Sequence, residues 1–268
     1  MTTRADQAIA ALRKGHDELT ALVRGLTPEQ LRGPSAAAEW DVSQVVSHLG
    51  SGAEINLEVV RRSLAGDPPP DFEFNKGVWA RWDGMTPEER QASFPVANQR
   101  LVEAYEAFTP EQRGSHRIDV GWMPEPVDVA TSAVLRLTEF GYHQWDVRVA
   151  FDPAAALDPA AAALMNDRIE GMFNWIAKPD RLDGRTGTLL VTLTDLDERF
   201  ALRVDADKVS LVPSDADADA DADAELSLPL EAWLRLAAGR LGAPYTPSSV
   251  KATGVFSLDD LRALFPGY

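Results

Sequence analysis

Apolar residues in the first half of the chain recur at steps of three and four. Ile9, Leu12, His16, Leu19, Val23 and Leu26 form one such stripe, which predicts an amphipathic helix. Thr27-Pro-Glu-Gln30 and Gly33-Pro34 then break it. Asp41 is placed to cap a second helix, with Gln44 reaching back as in a capping box. Along that helix Val45, His48, Gly52, Ile55 and Val59 make one stripe, and Val46, Leu49, Ala53, Leu57 and Val60 make its neighbour. Two adjacent stripes predict a helix deep in a bundle. Gly66-Asp-Pro-Pro-Pro70 ends it and opens a longer connection carrying Phe72, Phe74, Trp79 and Trp82. A third long helical stretch over 87–108 is expected to break or bend at Phe94-Pro95. A fourth is expected from Pro126, with Val129, Ala133, Arg136, Glu139, Phe140, His143, Val147 and Ala150 on or near one face.

Beyond this point the period changes. Asp152-Pro153 and Asp158-Pro159 mark a boundary, which divides the chain into 1–155 and 156–268. A connecting helix over about 160–176 comes first. Segments 187–194 and 199–205 alternate apolar and polar residues and are rich in β-branched ones, so they predict strands. Segments 208–212, 224–228 and 250–253 add three more, with helices over 230–241 and 258–264. The expected fold class is two domains, an all-α four-helix bundle followed by a small α+β domain.

Composition narrows the function. The chain has 268 residues, 45% hydrophobic and 25% charged, which suits a soluble globular protein with a sizeable core. No apolar run is long enough to cross a bilayer, and Met1-Thr-Thr-Arg-Ala-Asp6 lacks the apolar stretch of a signal peptide, so a cytoplasmic location is expected. A formal charge of −16 argues against nucleic-acid partners and against anionic membrane surfaces. Zero cysteines exclude disulfides, thiolate metal ligands and cysteine nucleophiles together. Part of the charge sits in the repeat Asp215-Ala-Asp-Ala-Asp-Ala-Asp-Ala-Asp-Ala224. That repeat lacks the glycine turn and terminal glutamate of a calcium loop and reads as a solvated loop.

The candidate chemistry lies in the fourth helix. Glu139 and His143 are four residues apart, one helical turn, so a carboxylate and an imidazole share a face. His48 lies in the second helix, one of only four histidines in the chain. Two imidazoles and one carboxylate suit Zn²⁺, with a fourth position left for water or substrate. The alternative is that His48 and His143 are hydrogen-bonded core histidines and Glu139 pairs with Arg136. Asp146 either orients the His143 imidazole or pairs with a cation such as Arg148. His16 either lines the cavity or is a satisfied core histidine, and His116 lies in a polar run read as a loop. Trp79, Trp82, Trp122 and Trp145 can wall an apolar pocket or simply fill the core.

Trp40-Asp-Val-Ser-Gln-Val-Val-Ser-His48, Glu139-Phe-Gly-Tyr-His-Gln-Trp-Asp146, Ala237-Ala-Gly-Arg-Leu241 and Ala252-Thr-Gly254 together resemble the mycothiol-dependent maleylpyruvate isomerase family. These actinobacterial enzymes join a DinB-like helix bundle to a small sterol-carrier-like domain, and the likeness spans almost the whole chain. The resemblance implies a divalent metal, Zn²⁺ by expectation, held by His48, Glu139 and His143. It also implies a catalytic arginine from the second domain, for which Arg240 is the match. Arg240 can equally be a cation answering the dipole at a helix C-terminus. The implied activity is mycothiol-using, either S-transfer to a small electrophilic substrate or its cis–trans isomerisation. The partners are then that substrate and a low-molecular-weight thiol, with the chain a monomer or weak homodimer. Two alternatives stand beside it: a thiol-independent biosynthetic step in the same cleft, or a non-catalytic small-ligand binding protein.

Overall fold

The structure is a computed structural model that describes residues 2–167, 169, 171, 173–196, 198–212 and 222–267. Its first half is α1 (Arg4–Arg24), α2 (Pro28–Leu31), α3 (Val42–Ala65), α4 (Phe72–Asp83), α5 (Pro87–Glu106), α6 (Pro110–Ser115) and α7 (Val129–Arg148). Side-chain caps decide where most of these begin. A Thr-Pro-Glu-Gln or Thr-Pro-Glu-Glu phrase occurs at Thr27, Thr86 and Thr109, and each copy closes a capping box that starts a helix with proline in its first turn. The phrase at Thr27, expected only to end the first helix, therefore also opens α2. Asp41 caps α3 as expected: its Oδ1 accepts from the Gln44 N–H at 2.7 Å, and the Gln44 side chain accepts from the Asp41 N–H at 2.9 Å.

The four long helices form the bundle. α3 packs on α5 and α7, and α1 packs on the same two, so each has two long neighbours. Leu12, Leu19 and Val23 of α1, Val45, Val46 and Leu49 of α3, Phe94 and Leu101 of α5, and Val134 and Leu137 of α7 are buried between them.

Four sequence expectations are corrected here. The aromatic connection after Pro70 is largely the helix α4, capped by Asp71. α5 runs unbroken through Pro95, which removes one N–H from the ladder without ending the helix. The fourth long helix starts at Val129, because Val127–Asp128 (β2) pairs antiparallel with Arg117–Ile118 (β1). His116 is not in an open loop. It ends α6, and its Nε2 lies 2.6 Å from the Ser63 hydroxyl.

The second half holds α8 (Pro159–Asn166) and α9 (Phe173–Ile176) where one connecting helix was expected. Strands β3 (Gly187–Leu193), β4 (Glu198–Val204), β5 (Val209–Val212), β6 (Ala224–Leu228) and β7 (Lys251–Gly254) form one sheet in the order β5-β4-β3-β6-β7. β3 pairs parallel with β6 and the other pairs are antiparallel. As the central strand, β3 is buried almost throughout. Trp233 of α10 (Leu230–Ala237) anchors an aromatic cluster with Phe173, Phe200 and Phe265, the last of these just after α11 (Leu258–Leu264). α10 ends before Leu241, the expected limit, because Gly239 adopts a left-handed backbone with φ 71°. Most of the Asp-Ala repeat lies outside the described residues, but Asp223 accepts from the Thr188 N–H at 2.8 Å and Ala224 opens β6.

By internal contacts the chain forms two units, Met1–Asp152 and Pro153–Tyr268. Among the described residues no helix is long and apolar enough to cross a membrane.

One close approach sets the position of α4. Gly50 of α3 faces the fully buried Trp82 indole, and a Cβ there would lie 2.1 Å from the ring. Alanine normally gains about 1 kcal/mol over glycine inside a helix. Overpacking a rigid buried ring costs about 1–3 kcal/mol and wins here. Gly50→Ala should therefore lower the thermal midpoint of helix loss by about 2–6 °C. An unchanged or higher midpoint by circular dichroism would show that α4 is not wedged in this way.

Candidate metal centre

His48 comes from the middle of α3, and Glu139 and His143 come from α7, two helices that pack directly. One ligand atom from each of the three lies within 4.8 Å of the others. The His48 Nε2–H donates to Glu139 Oε1 at 2.5 Å, and His143 Nε2 lies 3.4 Å from the same oxygen. The two imidazoles meet edge to face, with centroids 4.7 Å apart. On its other side the His143 Nδ1–H donates to Asp146 Oδ2 at 2.9 Å, and Asp146 is completely buried. That bond fixes the ring so that Nε2 faces Glu139, the arrangement a ligating histidine needs. This is the orienting contact that the sequence offered as one of two roles for Asp146.

Electrostatics holds the cluster together. Burial pushes the Glu139 carboxyl up, but hydrogen bonds from His143 and His48 overcome this and hold it well below the usual carboxylate range. Burial pushes the His143 imidazole down, but Asp146 and Glu139 together raise it above its ordinary value. The three donors fit a divalent ion such as zinc: two imidazole nitrogens and one oxygen, with Glu139 facing a cavity that leaves one side open. The Glu139–Arg136 pair of the alternative reading is not formed. Arg136 Nη2 donates instead to the Leu49 carbonyl at 2.9 Å and to Asn98 Oδ1 at 3.1 Å. Burial brings the Arg136 guanidinium down to about 10, with Glu139 pulling it back up, so it stays a cation at neutral pH.

Trp40 covers the site, a role the sequence did not assign to it. Its ring lies 5.1 Å from His48 and 5.9 Å from His143, centroid to centroid. A tight loop holds it there. The Ser35 N–H and hydroxyl both donate to the Trp40 carbonyl, and the Ala36 N–H donates to the Asp146 carbonyl, so the loop is tied to α7. Of the tryptophans considered as pocket walls, Trp82 and Trp145 are core, Trp79 meets Phe72 edge to face, and Trp122 lines the cavity beside Glu139.

The remaining candidates lie elsewhere. His16 is a buried core histidine whose Nδ1 accepts from Asn98 Nδ2 at 3.0 Å. It faces a separate groove shared with Asp17, Arg24 and Glu103. Asn98 therefore joins His16 to Arg136, a buried polar chain across three helices that no local spacing could reveal. Arg240 follows α10 in the second unit, where its Nη1 donates to the Ala238 carbonyl at 3.1 Å. That contact fits a cation at a helix C-terminus.

Comparison with known proteins agrees with this fold. Residues 12–148 match the mycothiol maleylpyruvate isomerase N-terminal domain, and residues 173–246 match the SCP-2 sterol transfer family. An uncharacterized protein of Mycobacterium tuberculosis is 26% identical over 171 residues, 61% of this chain and 82% of that protein. A candidate metal-dependent hydrolase of Geobacillus thermodenitrificans is 37% identical over 73 residues, 27% of this chain and 41% of that protein. Among solved structures, the mycothiol-dependent maleylpyruvate isomerase superposes with a TM-score of 0.67 at 17% identity, over 96% of this chain and 98% of its own. A histidine-to-alanine variant of that enzyme gives the same TM-score at 16% identity, with the same shares of both chains covered. At such identities these likenesses speak for the fold. With its N-terminal domain matched over residues 12–148, just over half of the 268, and an SCP-2 domain behind it, the chain belongs to the mycothiol maleylpyruvate isomerase family.

Proposed function

We propose that the protein is a metal-dependent enzyme that uses mycothiol to carry out S-transfer to, or cis–trans isomerisation of, a small electrophilic substrate. The observation that carries this reading is the convergence of His48, Glu139 and His143 within 4.8 Å, with His143 oriented by a buried carboxylate. A divalent ion bound there, zinc by its donor set, would lower the pKa of a thiol and keep it as the thiolate nucleophile near neutral pH. The chain's own residues do the rest. Glu139 offsets positive charge at the site, Asp146 keeps His143 Nε2 turned inward, and Trp40 limits the access of water. Attack of the thiolate sulfur on an electrophilic carbon forms a C–S bond. Loss of a leaving group completes transfer. Rotation about the new single bond followed by loss of the thiol completes isomerisation and regenerates the cosubstrate.

A second reading, hydrolysis by water in the same site without any thiol, draws on the likeness to the candidate metal-dependent hydrolase. Turnover that proceeds without mycothiol would favour it.

The purified chain should carry about one divalent ion, and His48→Ala should lose most of it while keeping its helix content. Equal metal in parent and variant by elemental analysis would remove the assignment. Asp146→Asn should weaken zinc binding by about 10–100-fold, because the amide can no longer hold the Nδ1 proton as a carboxylate does. Competition with a chelator measures this, and parental affinity in the variant would leave Asp146 with a packing role only. Arg240, assigned on the family likeness, is proposed as a polar anchor for the thiol or substrate. Arg240→Ala should lower kcat/KM by about tenfold or more with zinc content intact, the loss of one charged hydrogen bond. Parental kinetics would instead support its helix-capping contact with Ala238.

A further inference from the structure

A cavity of about 330 Å³ opens beside Glu139, within the first unit. Its apolar walls include Ile55, Val59, Leu135 and the indole of Trp122, which is 67% exposed. Its polar lining includes Arg136 and Asn75. Arg136 is only 3% exposed, and the partners of its Nη2 are neutral, the Leu49 carbonyl and the Asn98 amide oxygen. Its Nε is buried with no hydrogen-bond partner, and Nη1 makes no hydrogen bond among the described residues. Gly52 lets that nitrogen pack closely against α3, since a Cβ there would lie only 3.0 Å from Nη1. Asn75 Oδ1 is also buried without a partner. Its amide, turned over, would present an N–H₂ donor to the cavity instead.

A buried cation without a carboxylate partner is unusual, because desolvation is strongly unfavourable unless an opposite charge or a full set of hydrogen bonds offsets it. Glu139 is the acid that acts on Arg136 through space, yet its Oε1 is held by the two imidazoles. Nη1 therefore has hydrogens to spare in a residue that lines the cavity, and a guanidinium nitrogen can donate a charge-assisted hydrogen bond to one oxygen of a carboxylate. The volume suits a small molecule, and the apolar walls suit an unsaturated or aromatic body.

We propose that this cavity is an anion pocket that takes a carboxylate of the substrate, with Arg136 as the anchoring residue. Binding there would hold the rest of a small carboxylic acid alongside Glu139 and the candidate metal centre. The inference rests on the metal-centre reading only in calling the bound acid a substrate.

The test uses benzoate and its neutral isostere benzamide as probes on the full chain, in metal-free and zinc-loaded forms, read by calorimetry. Benzoate should bind the metal-free form at least tenfold more tightly than benzamide. Arg136→Met should abolish that preference. Asn75→Asp, which sets a competing carboxylate in the cavity at a half-buried position of α4, should abolish it too, and decides the matter if Arg136→Met fails to fold. Equal affinity for the two probes, or a preference kept in Asn75→Asp, would overturn the proposal. So would benzoate binding seen only with zinc present, since that is coordination to the metal. A parent chain that holds no zinc but binds benzoate through Arg136 would sink the metal reading and leave the anion pocket standing.

Discussion

A carboxylate and two imidazoles crowded at a helix contact and partly shielded from water are stable there only if their polar atoms meet partners. At the contact between α3 and α7 the protein places Glu139 against both His48 and His143, and Asp146 behind His143. Each group makes the next tolerable. A cation at the centre would stabilise the same arrangement further, since it would satisfy all three inward-facing groups at once.

The surrounding structure serves that arrangement. Asp41 fixes the start of α3 and so the height of His48 along its axis. The loop between Ser35 and Trp40 is tied to the Asp146 carbonyl, which links the cover over the imidazoles to the residue that orients one of them. Gly50 lets Trp82 lie flat against α3, and Trp82 Nε1 donates to Glu54 at 3.1 Å. Asn98 of α5 gives its oxygen to Arg136 and its amide hydrogens to His16, so its orientation is set from both sides. Packing and polar satisfaction thus act on the same few turns of helix.

Much of this was legible in the sequence, for physical reasons that differ from place to place. Helical spacing, a local property, put Glu139 and His143 on one face, while the addition of His48 as a third ligand rested on the family resemblance. The five strands were readable because alternation is local too. α4 was not, since only Val78 and Trp82 of its residues are buried and its aromatic residues Phe72 and Trp79 point to solvent, so no stripe marks it. The β1–β2 pair was missed because two-residue strands carry no period. Trp40 over the imidazoles, and Asn98 between His16 and Arg136, depend on contacts distant in sequence that no spacing encodes. The Arg136–Glu139 pair, the alternative reading of the sequence, is not formed, because the claims on Glu139 come from another helix and the next turn.

X-ray absorption at the zinc edge of the reconstituted protein tests the central claim most directly. The account predicts a shell of nitrogen and oxygen at about 2.0–2.2 Å with the outer-shell scattering of two imidazoles, and no sulfur in protein free of thiol. Zinc that is not retained, or that binds without imidazole scattering, would contradict it.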